Sequence, residues 1–143
     1  MKYLILISAL FLSACSLTPS INISDTMNLI ALTEQKAPKG IHGTFKFQIK
    51  ASGVKKGDVY LNTEVDYRDR RAITIALSPD VVSELSNKYG SNPETYFIDK
   101  YIEVSGEAKR TIIDFISRGR KTNKYYYQTH IKVTQLSQIK VLN

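Results

Sequence analysis

Hydrophobic and polar residues alternate in five segments between residues 44 and 142, and this alternation is typical of half-buried β-strands. The first three segments precede residue 78 and are separated by turn signals, among them Gly53 and residues 56–58. We predict that one face of each strand packs into a core. The predicted inward residues of these three strands are Phe45, Phe47, Ile49, Ala51, Val59, Leu61, Thr63, Val65, Ile73, Ile75 and Leu77.

Two further strands are predicted near the end of the chain. The fourth spans residues 101–115, and a polar, basic turn over residues 117–124 leads into the fifth. One face of the fifth strand carries Tyr127, Thr129, Ile131 and Val133, and the other carries Tyr126, Gln128, His130 and Lys132. Strict alternation therefore predicts that Tyr125 and Tyr127 lie in the core and that Tyr126 points outward.

A helix is predicted between the third and fourth strands. Ser78 followed by Pro79 is a helix start, and Gly90 is a suitable C-terminal cap. Before the strands, residues 16–39 are polar with weak periodicity and are predicted to form mainly a tether. Within this tether, Asp25 can cap one short helix.

Three strands, a helix and two strands are the element order of the OB-fold, a five-stranded Greek-key barrel. The predicted fold class is therefore all-β with one short helix. Several stretches also resemble small bacterial OB-fold proteins related to the anticodon-binding and nuclease-associated OB groups. The stretches that carry the resemblance are residues 59–62, 66–69, 73–75, 100–106, 131–134 and 138–142. They imply a fold and no particular activity, because many functions occur on this fold.

The chain begins with the pattern of a secretion signal: Lys2, an apolar run over residues 4–12, and small residues before Cys15. Residues 12–15, Leu-Ser-Ala-Cys, resemble the lipobox of bacterial lipoproteins. The resemblance implies a diacylglyceryl thioether on Cys15, cleavage before it, and acylation, such as palmitate, of the new amino terminus. The alternatives are a chance cysteine in a signal peptide and a buried thiol in a first helix.

A lipobox divides the chain into a removed signal peptide at 1–14, a lipidated cysteine with its tether at 15–40, and the OB-fold domain at 41–143. The apolar run is too short to span a bilayer, which takes about 20 residues. Several lipid chains on one residue anchor a protein stably. Ser16 stands where similar lipoproteins of the inner membrane carry aspartate, so we expect an outer-membrane lipoprotein facing the periplasm.

Composition limits the function classes without choosing one. The 143 residues are 43% hydrophobic and 23% charged, which is ordinary for a single globular domain and excludes disorder over the whole chain. The net charge of +7 attracts polyanions or anionic membrane surfaces, and it also keeps a protein soluble.

Candidate catalytic groups are few. With Cys15 lipidated, no thiol nucleophile or disulfide remains, and the two histidines, His42 and His130, lie far apart in sequence. We therefore expect no metal and no cofactor. Glu64, Asp66 and Asp69 are candidates for a cation site or an acid/base pair, but a charged turn is the better interpretation because aspartate favours turns.

The most promising functional region is residues 109–127, where basic residues lead into three consecutive tyrosines. Cations that follow phosphates and aromatic rings that stack on bases are typical of single-strand binding. The alternative is a solvated hairpin tip. The candidate binding residues are Tyr60, Asn62, Arg68, Arg118, Arg120, Lys121, Lys124 and Tyr126.

The leading functional hypothesis is a non-catalytic, membrane-anchored lipoprotein whose domain binds a protein or another envelope component. The second hypothesis is a binder of single-stranded nucleic acid or another polyanion, for example in DNA uptake or transfer. A lipid-anchored domain outside the cytoplasm rarely meets nucleic acid, which favours the first. A cation-dependent hydrolase is the least supported class.

Overall fold

The computed structural model describes residues 22–23 and 25–142, and it shows a mostly β chain with a few short helices. The strands are β1 (Asn22–Ile23), β2 (Ile41–Gln48), β3 (Ala51–Lys55), β4 (Asp58–Asn62), β5 (Ile73–Leu77), β6 (Tyr101–Ser117), β7 (Arg120–Val133) and β8 (Ile139–Val141). The helices are α1 (Thr26–Lys36), α2 (Pro79–Tyr89) and α3 (Pro93–Tyr96), with a 3-10 turn at Leu136–Gln138. The predicted signal peptide and Cys15 lie outside the described residues.

All strands belong to one sheet in the order β1-β2-β6-β7-β5-β4-β3, and β8 pairs with β6. The β1–β2 and β5–β7 pairs are parallel, and the others are antiparallel. Only Ile49 and Lys50 separate β2 from β3, which pair with β6 and β4 respectively. The sequence predicted a turn at Gly53, but this residue lies inside β3.

The core contains most of the residues that alternation predicted to face inward. The fully buried large side chains are Leu29, Phe45, Ile49, Val59, Leu61, Ile73, Ile75, Leu77, Leu85, Phe97, Ile102 and Ile131. Val65 is an error of the prediction, because its side chain is 77% exposed. The strand β4 ends at Asn62, so Val65 lies in the loop that leads to β5.

Helix α2 begins and ends as predicted. Ser78 has the extended backbone of an N-cap, Pro79 is the first helical residue, and Gly90 has the positive φ of 65° that glycine adopts readily. Val81 and Leu85 are buried against the sheet.

Helix α1 packs on the sheet, although the sequence assigned its residues to a tether. The Asp25 side chain caps it by accepting a hydrogen bond from the Met27 backbone N–H at 2.9 Å. Leu29 is completely buried, and the Thr33 and Thr129 hydroxyls lie 3.2 Å apart. The short helix capped at Asp25 is therefore present, and what weak periodicity did not predict is its packing on the sheet, because it buries only a narrow stripe.

The hairpin formed by β6 and β7 extends beyond the rest of the sheet. Pairing of β2 with β6 stops at Ala108, and β5 joins β7 only from Thr129 onward. Residues 109–127, here called the arm, therefore have strand partners only within the β6–β7 hairpin among the described residues. The predicted turn over 117–124 was too long, because Arg118 and Gly119 alone form it, both with positive φ.

Candidate binding cleft

A cleft of about 730 Å³ separates the β3–β4 hairpin from the arm. One wall comes from β3 and β4, the other from the arm, and the loop after β4 borders it. The lining residues are Ser52, Gly53, Val54, Lys55, Tyr60, Asn62, Tyr67, Arg68, Thr74, Ile113, Asp114, Phe115, Ile116, Tyr126, Gln128 and His130.

The structure brings together half of the candidate residues that the sequence named. Four of them line the cleft, namely Tyr60, Asn62, Arg68 and Tyr126. The other four are exposed near the tip of the arm and do not line it, namely Arg118, Arg120, Lys121 and Lys124. Lys121 is bound instead to Asp114, with Nζ 2.9 Å from Oδ2.

Asn62 forms part of the polar floor of the cleft. The sequence placed it outward with Tyr60, but its side chain is only 5% exposed. Its Oδ1 accepts a hydrogen bond from the Thr74 hydroxyl at 2.8 Å. Burial is tolerated because the amide has a hydrogen-bond partner on the neighbouring strand.

His130 and Gln128 are site residues that sequence reasoning missed. The Gln128 Nε2 donates to the Tyr67 carbonyl at 2.7 Å, so its Oε1 is the acceptor for His130 Nε2, also at 2.7 Å. Burial, with a smaller contribution from Lys132, lowers the pKa of His130 to about 4. The ring is therefore neutral near pH 7. The sequence contained one signal that could have found them: in the alternation of the fifth strand, both residues share the outward face with Tyr126.

Aromatic rings stand on both sides of the cleft. The Phe115 and Tyr126 ring centroids are 5.1 Å apart, and Tyr60 lies 6.4 Å from the His130 ring. Burial raises the pKa of Tyr60 and of Tyr126, and Asp58 adds to the increase at Tyr60. Both phenols therefore keep their protons at neutral pH and remain hydrogen-bond donors.

Apolar side chains are exposed at the edges of the cleft. Val54 and Ile116 are each 59% exposed, and Phe115 is 41% exposed. Exposed apolar residues grouped around a concave surface are typical of binding sites.

The acidic residues of the loop after β4 form hydrogen bonds with basic residues close to them. Glu64 accepts a hydrogen bond from Lys50 at 3.1 Å, and Asp66 accepts one from the Arg68 backbone N–H. Asp69 holds the Arg71 guanidinium at 2.7 Å and 3.0 Å, and these hydrogen bonds lower the pKa of Asp69 to about 2. Residues 25–142 contain no group of three or more His, Cys, Asp or Glu side chains suited to a metal ion.

The exposure of the two tyrosines beside Tyr126 differs from the prediction. Tyr125 is 57% exposed and Tyr127 is 42% exposed, although both have core parity. They lie on the arm, where neither β2 nor β5 extends far enough to cover them.

Comparisons with known proteins add little. No family model matches the chain, and no curated protein matches it either. A crystal structure described as an aspartyl-tRNA synthetase from Leishmania major Friedlin is similar at a TM-score of 0.44 and 8% identity. The match covers 94% of this chain, which spans only 23% of that chain. Among the described helices, none is long and apolar enough to cross a membrane.

Proposed function

We propose that this protein is a non-catalytic lipoprotein, anchored in the outer membrane through Cys15, whose OB-fold domain binds an extended segment of an envelope protein in the cleft. The proposal assigns the residues of the cleft a role in recognition and gives none of them a role in catalysis.

The backbone at the β2–β3 junction supports the OB-fold assignment. The Ile49 N–H donates to the Lys100 carbonyl at 3.0 Å, and the Lys50 N–H donates to the Asn62 carbonyl at 2.9 Å. Pairing thus passes from the β6 side to the β4 side within two residues. If β2 and β3 are the two halves of one bent strand, the sheet closes into a barrel of five strands, with α2 between the third and the fourth.

The observation that carries the choice of ligand is the mixture of side chains around the cleft. Val54, Ile113 and Ile116 offer aliphatic surface beside the aromatic rings, and this mixed apolar lining suits the apolar side chains of a protein. The amide of Asn62 and the phenols of Tyr60 and Tyr126 add hydrogen-bonding groups, and the Tyr60 hydroxyl also donates to Asp58 at 3.4 Å. A few fixed polar groups in an apolar cleft provide specificity for one ligand.

Photocrosslinking in intact cells tests this proposal. A photoreactive phenylalanine analogue in place of Val54 should give one discrete, protease-sensitive adduct of the full chain. The same analogue in place of Glu84, which is exposed on α2, should give none. Combining the Val54 probe with Tyr126→Ala should reduce the adduct about tenfold or more, because buried aromatic anchors dominate binding energy.

The outcomes separate the candidate ligands. A nuclease-sensitive adduct at Val54 would replace the protein ligand with a nucleic acid. Equal adducts at both positions, or none at Val54, would contradict binding in the cleft.

The arm supports the second candidate, a polyanion. It carries six basic side chains, and Asp114 is its only acid. Since the four cations near the tip lie outside the cleft, we expect only weak, non-specific binding to single strands at physiological salt, with a Kd of about 1 µM to 0.1 mM. Tight, saturable binding of a short oligonucleotide at that salt would make the polyanion the leading candidate.

The anchor is tested separately at Cys15. Cys15→Ser removes the thiol that would accept lipid, so the variant should show no fatty-acid labelling and should leave the membrane fraction or keep its signal peptide. Equal labelling of the variant and the wild type would exclude lipid attachment at this residue.

A further inference from the structure

A second pocket, of about 420 Å³, lies between α1, the loop after β4 and the base of the arm. It shares four lining residues with the cleft, namely Arg68, Phe115, Tyr126 and Gln128, and its other lining residues are different. Arg70, Arg110 and Tyr127 line only this pocket. We call it the arginine pocket.

Arg110 is the unusual residue of this pocket. Its guanidinium carbon lies 3.6 Å from the centroid of the Tyr127 ring, which fixes the side chain by a cation–π contact. Its Nε is buried, and no hydrogen-bond partner for it exists among residues 25–142. A buried donor without a protein partner is rare in folded proteins, and such a group is usually satisfied by a water, an ion or a ligand.

The charges around Arg110 favour an anion. Two acids also line the pocket, Glu34 and Asp69. Asp69 is occupied by the two short contacts to Arg71. The ion pairs among the described residues include neither Arg70 nor Arg110.

We propose that the arginine pocket binds an oxyanion, a carboxylate or a phosphate, carried on an aromatic or apolar group. The Arg110 fork binds the oxygen atoms, because planar guanidinium groups match carboxylate and phosphate geometry. Phe115 and Tyr127 contact the apolar body of the ligand. Glu34 repels the anion and limits its affinity. Arg110 and Tyr127 do not line the cleft, so this site requires no particular ligand there, although the two sites share Phe115.

Titration of the full-length chain in a zwitterionic detergent tests the proposal. Phenyl phosphate and benzoate serve as probes, and inorganic phosphate shows whether the apolar body contributes. The expected result is a saturable shift of one arginine Nε–H resonance in 15N-edited NMR spectra. Stronger binding of phenyl phosphate or of benzoate then identifies the preferred anion.

Three variants assign the signal to the pocket. Arg110→Lys keeps the charge but loses the fork, and it should weaken probe binding about tenfold or more. Glu34→Gln removes the repulsive charge and should strengthen binding. Arg118→Gln, at the tip of the arm, should leave binding unchanged.

Two results would overturn the proposal. The first is an arginine Nε–H spectrum that does not change in the wild-type chain at about 10 mM probe, and the second is equal weakening by Arg110→Lys and Arg118→Gln. Thermal unfolding of each variant checks that it is folded, and the wild-type spectrum and Glu34→Gln do not depend on the stability of the Arg110 variant.

Discussion

The inner half of the β6–β7 hairpin and the arm belong to the same two strands and have the same alternation, yet one half is buried and the other is exposed. In the inner half, Val104, Ile131 and Val133 have no exposed surface. On the arm, Ile112 and Tyr125 are each 57% exposed. Alternation therefore specifies which residues share a face, whereas burial depends on whether a neighbouring strand or helix reaches that face.

The arm also shows how an exposed hairpin avoids pairing with other chains. Among the described residues no further strand pairs with either edge of the arm, and such edges are sites where other chains can pair. Lysine and arginine side chains near the tip discourage this pairing by repulsion and solvation. The exposed cations near the tip are of the kind that blunts sheet edges in soluble proteins.

The largest expected difference between the two halves is in stability. Ile131→Ala leaves a cavity in the core and should lower the free energy of unfolding by about 2–5 kcal/mol. Tyr125→Ala, on the same strand and face, should lower it by less than about 1 kcal/mol, because the ring is mostly solvated. Denaturant unfolding of both variants measures the contrast. Similar losses would mean that something covers the arm in solution.

The next largest effect on stability is expected at His130, at the boundary between the two halves. It follows Thr129, the first residue of β7 that pairs with β5. Its pKa is about 4 in the folded protein and about 6.5 in the unfolded chain. The unfolded chain therefore binds more protons between these values. The contribution of His130 to the free energy of unfolding is fully present above pH 6.5. It falls by up to about 3 kcal/mol as the pH drops to 4, and then levels off.

His130→Gln should remove this part of the pH dependence and keep a polar side chain beside Gln128. Urea unfolding at several pH values between 4 and 7 compares the variant with the wild type. Parallel profiles would show that His130 is not buried in its neutral form.

The sequence predicted the fold well where the strands have neighbours. Phe45, Leu61, Ile75 and Ile131 all lie in the core as expected, because each strand is covered on that face. Helix α2 was predicted from its local signals, a proline start and a glycine end. Val65 was misplaced because local alternation continues beyond the residue where pairing stops.

The site could be predicted only in part, because it depends on which elements meet. Tyr60 and Tyr126 were named from their parity, and both line the cleft. The tip cations were grouped with them because they are close in sequence to Tyr126. A β-strand advances about 3.3 Å per residue, so a few residues along the arm suffice to leave the cleft. The sequence could not single out Arg110, because only the folded structure shows that its Nε is buried without a hydrogen-bond partner among the described residues.

Substitutions at Thr33 test how helix α1 is attached to the sheet at the boundary between the inner half of the hairpin and the arm. Its hydroxyl faces that of Thr129, the first residue of β7 that pairs with β5. Thr33→Val keeps the shape but leaves the buried Thr129 hydroxyl without this partner, so the loss should be about 1–3 kcal/mol. Thr33→Ser, as the control, should cost less because it keeps the hydroxyl. A larger loss for Thr33→Ser than for Thr33→Val would show that packing of the methyl group, and not the hydrogen bond, anchors α1.

The smallest effect on stability is expected at the tip of the arm. Changing Arg118, Arg120, Lys121 and Lys124 together to Gln should alter the free energy of unfolding by no more than about 0.5 kcal/mol, because these side chains are exposed. The same variant should lose most of its weak affinity for single-stranded oligonucleotides. The dependence of that affinity on salt should also flatten, by about 0.7 in slope for each phosphate contact removed.

A control with the exposed residues Lys36, Lys39, Lys46 and Lys88 changed to Gln has the same net charge. Because polyanion binding follows local charge density, the control should keep the salt slope of the wild type if the arm is the contact surface. Equal flattening in both variants would show that the attraction comes from the net charge of the whole protein, and the arm would then have no particular role in binding polyanions.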